Sequence, residues 1–247
     1  MIAGILLFAG FLLLVRAELG TRATETPTDM MAGGEAMMSA RRVVAVVAHP
    51  DDAEYWISGT LSLLGKAGAR VVLVVASNGE KGPNKVGADN LALARQEEQR
   101  AAGRIMGYDE ILFLDLPDRS VVQDRDLNRK LTDVLLRENA DLVITFDGFK
   151  PQMPYLHPDH EALGRVARSA ALELATKPAL YLFHTRRPNI AVDISSVADA
   201  KIAAFAAHRS QHGGDSREGP VKANRAAGAR YGLPPAELFR AVRQVMQ

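Results

Sequence analysis

The chain contains no cysteine. Disulfides, thiolate metal sites and cysteine nucleophiles are therefore excluded, and a tight transition-metal site must draw on histidine, aspartate or glutamate. Histidine is itself scarce, with six among 247 residues, so the positions of those six carry information. Net charge is nearly absent, at +1, and the basic residues are scattered. No stripe of basic and aromatic side chains offers a face for single strands, and nucleic acid is not an expected partner. Neither repeats nor low-complexity tracts are present. Redox compartment and oligomeric state cannot be read from these features.

Long apolar runs are missing except at the start. Ile2 to Val15 carries no charge. As a helix it would reach about 21 Å, short of the roughly 30 Å core of a bilayer. Three readings stay open: a signal peptide with a weak cleavage match at Val15-Arg16-Ala17, a short anchor, or an upstream extension of a start near Met37 and Met38. Under the first two, with residues 1–17 genuine, the protein is exported or anchored in the membrane, with contact through 2–15. Under the third, the protein is cytoplasmic. Residues 18–40 are polar and without period, and they read as a linker to a domain over 41–247.

From Arg41 onward, strand-like runs alternate with helical patterns. Val43–Ala48, Arg70–Ala76, Glu110–Leu114 and Asp141–Phe146 read as buried strands, and Ala179–Phe183 and Ile190–Asp193 as late ones. Ala53–Ala67, stopped by Gly68, reads as a helix, as do Asn90–Ile105, Asp126–Glu138, Asp159–Ala175 and Val197–Ala207. Pro235–Val245 reads as a closing helix. The expected fold is α/β, a Rossmann-like three-layer sandwich with a mainly parallel sheet and helices on both faces. In such folds ligands bind beyond the carboxyl ends of the strands. The residues just after each strand are therefore the candidates.

After the first strand stands Ala48-His49-Pro50-Asp51-Asp52-Ala53-Glu54. A helix cap explains one aspartate here. It does not explain an imidazole and a second aspartate in the same turn. After the fourth strand comes Tyr155-Leu156-His157-Pro158-Asp159-His160. Pro158 suits a first helical position and puts His157 near the N-cap. His157 and His160 then lie one turn apart on similar faces. Both clusters belong to the same sheet edge and together offer two histidines and a carboxylate. That set suits catalytic zinc, which keeps a position for water, and it also suits Fe2+ or another divalent metal.

AHPDDAE after a first strand, followed by HPDH after a later one, resembles the LmbE-like (PIG-L) family of zinc-dependent N-acetylglucosamine deacetylases. The resemblance runs from about Arg41 to about His212. Arg95 and Glu98 in ARQEEQRAAGRIMG are similar to the family's Arg-x-x-Glu helix, and KIAAFAAHRSQ from Lys201 to Gln211 to its late Lys-helix-His-x-Ser-Gln segment. The resemblance implies His49, Asp52 and His160 as metal ligands, Asp51 as general base and His157 as the residue that polarises the carbonyl. It also implies Tyr155 near the oxyanion, and Asp118 and Arg95 as contacts to a sugar. The chain departs from the family in a longer loop, Lys150-Pro151-Gln152-Met153-Pro154, before HPDH.

The implied activity is hydrolysis of an acetamide on a small-molecule or glycoconjugate substrate. The alternative within the family is an amidase acting on a larger amide, such as a thiol conjugate. A dinucleotide-binding oxidoreductase would need a glycine-rich turn where His-Pro-Asp-Asp stands, and carboxylates there repel phosphate. A non-catalytic binder would not need every catalytic position filled. One geometric condition governs the reading. The nearest nitrogens of His49 and His160 must lie within about 5 Å to share an ion at bond lengths near 2.0–2.1 Å.

Overall fold

The runs richest in Val, Ile and Leu form the middle of one seven-stranded sheet. The computed structural model describes residues 23–152, 157–213 and 218–243. The strands are β1 (Arg42–Val47), β2 (Arg70–Ser77), β3 (Glu110–Leu116), β4 (Leu142–Phe146), β5 (Ala179–Phe183), β6 (Ile190–Asp193) and β7 (Ala236–Arg243). Their spatial order is β3-β2-β1-β4-β5-β7-β6. β1 to β5 are mutually parallel, and β7 runs antiparallel to both β5 and β6. Consecutive residues of β1, β2, β4 and β5 are buried, although they point to opposite faces. Both faces are therefore covered, as parallel sheets require.

The covering helices form two sets. One comprises α2 (Asp52–Trp56), α3 (Ser58–Lys66), α4 (Leu91–Met106), α7 (Ala198–Ala206), α8 (Arg209–His212) and α9 (Gly219–Ala229), and the other α5 (Leu127–Arg137) and α6 (Pro158–Glu173). The chain winds outward from β1 through β2 to β3, then returns to β4 on the other side of β1. This reversal between β1 and β4 is the switch point at which such sheets open a crevice. Both histidine-bearing segments leave the sheet there.

Four expectations need correction. Residues 27–37, read as linker, form helix α1 (Pro27–Met37). Thr26 caps it by accepting from Asp29 N at 3.2 Å, and Pro27 stands where its missing N–H costs nothing. Gly33 and Gly34 suggested a loop. A Cβ on Gly34 would lie 2.0 Å from the Ala191 carbonyl oxygen, so the glycine allows α1 to lie directly on β6. The helix expected over 53–67 is broken at Ile57, whose φ of −137° and ψ of 0° separate α2 from α3. The closing segment is strand β7, not a helix. Its helix-forming residues are overridden by pairing with β5 and β6 and by Glu237, which turns inward to Lys201 at 2.5 Å and accepts from Gly59 N and Thr60 N. Helix α9, for which no element was expected, packs on β7.

Among the described residues no helix is long and apolar enough to cross a membrane. The apolar run 2–15 lies outside them. Met37 is fully buried in the main core. Met37→Ala should cost about 2–5 kcal/mol in urea unfolding, the range for large-to-small core changes. A loss within about 0.5 kcal/mol, as for exposed positions, would return α1 to the status of a linker.

Candidate metal centre

Four of the five parallel strands deliver a residue to the site at or beyond the carboxyl end. β1 runs into His49, Asp51 and Asp52, β3 into Asp118, β4 by way of its loop into His157, Asp159 and His160, and β5 into His184. Pro158 opens α6 with His157 at the N-cap, so His157 and His160 stand one turn apart with their rings stacked at 4.6 Å. His160 also stacks on Phe146, the last residue of β4, at 4.1 Å.

The nearest nitrogens of His49 and His160, Nδ1 and Nε2, are 3.3 Å apart. His160 Nε2 lies 3.2 Å from Asp52 Oδ1, and His49 Nδ1 lies 3.4 Å from Asp52 Oδ2. Donors bonded tetrahedrally to one ion at about 2.0–2.1 Å sit about 3.3–3.4 Å from each other. The two imidazole nitrogens stand at that spacing, and Asp52 approaches each of them through a different oxygen, Oδ1 toward His160 and Oδ2 toward His49. Asp52 is fixed for the task because Oδ2 accepts from Ala48 N at 3.1 Å and His49 N at 2.8 Å, within the turn that follows β1.

The opposite nitrogen of His49 explains its orientation. Nε2 is 3.2 Å from Asp118 Oδ1 and 3.6 Å from Asp159 Oδ2. A ligating imidazole commonly turns its second nitrogen to a carboxylate in this way. Asp118 and Asp159 are held in turn by backbone amides: Lys81 N donates to Asp118 and Arg119 N to Asp159, at 3.2 and 2.7 Å. His49, Asp118 and Asp159 also bring three donors within 4.8 Å, as do His49, His157 and His160. The carboxylate group of three is the closed side of the imidazole. The His160 side faces the cleft.

Charge balance favours a cation. Asp52, Asp118 and Asp159 are 6%, 4% and 1% exposed, and burying three carboxylates around one imidazole is costly without positive charge. Burial pulls the His49 imidazole down, but Asp118, Asp159 and Asp52 outweigh it and raise its pKa well above the usual histidine value. Burial pushes Asp118 up, yet His49 and the Lys81 amide bring it down to about 2. Burial likewise opposes ionisation of Asp52, and His160 with His49 hold it well below the carboxylate range. His157 is shifted the other way, lowered by burial and by the charges of His49 and His160. The donor set and its excess of negative charge fit a divalent ion.

Asp51 stands beside the ligands in an unusual backbone, with φ of 104°. A non-glycine residue there costs of order 1–3 kcal/mol and persists only when its surroundings impose it. Here they do. Asp51 N donates to Gln99 Oε1 at 3.1 Å, and Gln99 Nε2 donates to the buried Glu54 at 3.0 Å. Glu54 also accepts from Tyr108 and lies 3.0 Å from His208 Nε2. The Asp51 side chain makes no cap. Its Oδ2 is 3.3 Å from both Arg95 and His212.

Arg95 and Asp118, expected as sugar contacts, are both buried against protein partners. Arg95 is 4% exposed, donates to the Gly79 and Pro50 carbonyls, and pairs with Asp51. Its two terminal nitrogens hold the turn, while Nε is buried without a hydrogen-bond partner. Asp118 is committed to His49 and Lys81, as described. Tyr155 lies outside the described residues. The late segment joins the same assembly, since Glu98 accepts from both Ser210 N and Ser210 Oγ at 2.7 Å.

His184 and His212 were not singled out from the sequence. His184 follows a parallel strand, so the rule that pointed to His49 also points to it. His212 directly follows the His-x-Ser-Gln segment. All six histidines stand in or beside this centre.

The sequence profile described as "PIG-L: GlcNAc-PI de-N-acetylase" matches residues 44–171. The chain belongs to the PIG-L family. The diacetylchitobiose deacetylase of Thermococcus kodakarensis is 30% identical over 190 residues, covering 69% of this chain and 70% of that protein. A probable N-acetyl-alpha-D-glucosaminyl L-malate deacetylase 2 of Bacillus cereus is 30% identical over 188 residues, 69% of this chain and 84% of that one. In three dimensions the chain is similar to the N,N'-diacetylchitobiose deacetylase of Pyrococcus horikoshii, with a TM-score of 0.76, 24% identity and coverage of 95% and 92%. That last likeness carries the fold. PIG-L deacetylases are metal-dependent, and the His/Asp cluster of this member is built to match.

If Asp118 acts through His49, Asp118→Asn should weaken zinc binding by about 10–100-fold in a chelator competition. Unchanged affinity with a raised KM would instead make it a substrate contact.

Proposed function

We propose that this PIG-L protein is a zinc-dependent N-deacetylase acting on an N-acetylglucosaminyl-type substrate. The observation that carries the reading is the triangle of His49, Asp52 and His160 with Asp51 adjacent but outside it. Ligands and base are thereby separated, as metal-assisted hydrolysis requires. The deacetylase names of the relatives supply the substrate class. Two imidazoles and one carboxylate suit zinc.

A divalent ion held there supplies Lewis-acid polarisation of the amide carbonyl and acidifies water. Asp51 takes the water proton. Arg95 and His212 both approach its Oδ2, which orients the carboxylate and leaves Oδ1 for the transfer. His157, kept neutral by burial and by its charged neighbours, retains an N–H to donate to the oxygen that gains charge as the carbonyl is attacked. A well-placed donor of this kind is worth about 3–4 kcal/mol. Asp51 then returns its proton to the amine nitrogen as the C–N bond breaks, so water and amide become acetate and free amine. The buried Gln99–Glu54–His208 network holds the Asp51 turn rigid through these transfers.

The test is amine release from N-acetylglucosaminyl compounds. The native protein should release amine, and a chelator should stop it. Asp51→Asn should retain zinc and lose at least about 100-fold in kcat. Full rate in Asp51→Asn, or turnover that survives metal removal, would overturn the assignment.

A further inference from the structure

A cavity of about 280 Å³ lies beside the metal centre, outside the machinery described so far. Its walls come from α2 (Tyr55, Trp56), the end of β5 (Phe183, His184, Thr185) and α9. α9 contributes Ala223, Asn224, Ala226 and Ala227, with Arg230 just past its end, so one side of the helix is turned to the void. Alanines on that face are what leave the space open.

His184 ties the cavity to the chemistry. It lines this void and also the narrow cleft that holds Phe146, His157 and His160. Its ring lies 4.6 Å from Trp56 on one side and 6.4 Å from His160 on the other. Whatever fills the cavity therefore begins within one side chain of a candidate ligand.

The lining states what it accepts. Aromatic rings and alanines form much of the wall, Gln152, Thr185, Arg230 and Tyr231 add polar groups, and no carboxylate lines it. Three buried polar atoms of the lining are unpartnered, His184 Nε2, Asn224 Oδ1 and the Tyr231 hydroxyl, and His184 and Asn224 are more than nine-tenths buried. Buried polar atoms without partners are uncommon and costly. The pattern fits a largely apolar group with a hydrogen-bonding function.

We propose that this cavity is an acyl pocket, receiving the acyl side of the scissile amide and sized for a group larger than acetyl. The proposal rests on the hydrolase reading above for its chemistry, because the acyl chain starts one bond from the carbon under attack. The α9 alanine face would then set acyl-chain selectivity, with Ala223 and Ala227 as its determinants.

The test compares N-acetyl- with N-hexanoylglucosamine. Each buried methylene is worth about fourfold in binding, so the hexanoyl compound should exceed the acetyl compound in kcat/KM by about tenfold or more. Ala227→Leu and, separately, Ala223→Leu should cut the hexanoyl-to-acetyl ratio by about tenfold. Binding is read independently of turnover. Trp56 is the sole tryptophan of the chain, so its emission reports on the pocket. In zinc-loaded Asp51→Asn protein, N-hexanoylglucosamine should change that emission saturably, and adding Ala227→Leu should weaken the response.

Acetyl hydrolysis with no hexanoyl preference, and a ratio that neither α9 variant moves, would overturn the pocket and leave the deacetylase reading standing. A saturable Trp56 response with no amide turnover would do the reverse. If the α9 variants discriminate between a mono- and a disaccharide amine and not between acyl chains, the cavity is a sugar site and the proposal fails.

Discussion

Three carboxylates buried around one imidazole are the constraint on which the rest depends. Asp52, Asp118 and Asp159 converge on His49 in a region nearly closed to water. Such a concentration of negative charge is tolerable only beside positive charge. A divalent ion resolves the imbalance and explains why the two nitrogens of His49 face different surroundings. One is aimed at His160 and the cleft. The other is aimed at carboxylates that are pinned by backbone amides and cannot swing away.

The sheet makes this convergence possible. β1 and β4 are neighbours in space though far apart in the chain, so the turns that follow them meet at the switch point. Close packing of the strands fixes the turns, and the turns fix the ligands. Much of the backbone strain follows the same geography, although Asn139 and Lys177, ahead of β4 and β5, also have positive φ. Asp51, Asp115, Arg119 and His184 all have positive φ at or just beyond the carboxyl ends of β1, β3 and β5. Strained conformations gather where the protein needs side chains aimed in directions a relaxed backbone would not give. At Asp51 the compensation is visible in Arg95, Gln99 and the Glu54 network.

Much of this was legible in the chain itself. The strand runs over 43–48, 70–76 and 141–146 announced a parallel sheet, and the rule about carboxyl ends converted AHPDD and HPDH into one site. What was not legible depends on long-range contact. Helix α1 hides behind Gly33 and Gly34, whose small size serves packing against β6. β7 carries the helix formers Ala, Glu, Leu and Arg and becomes a strand only because β5 and β6 offer it partners. Nothing local to Arg95 and Asp118 shows that they will be buried against Asp51 and His49. His184 and His212 join the centre only through tertiary folding. The α9 alanines carry no local signal at all, and their significance lies in the space they leave.

The claim at the centre is that one ion sits among His49, Asp52 and His160. Anomalous diffraction at the zinc edge from zinc-loaded crystals tests it directly. The account requires a single peak about 2.0–2.1 Å from His49 Nδ1, His160 Nε2 and an Asp52 oxygen. A peak on the other side of the imidazole, between His49 Nε2 and the Asp118 and Asp159 carboxylates, or no peak at this edge of the sheet, would contradict it.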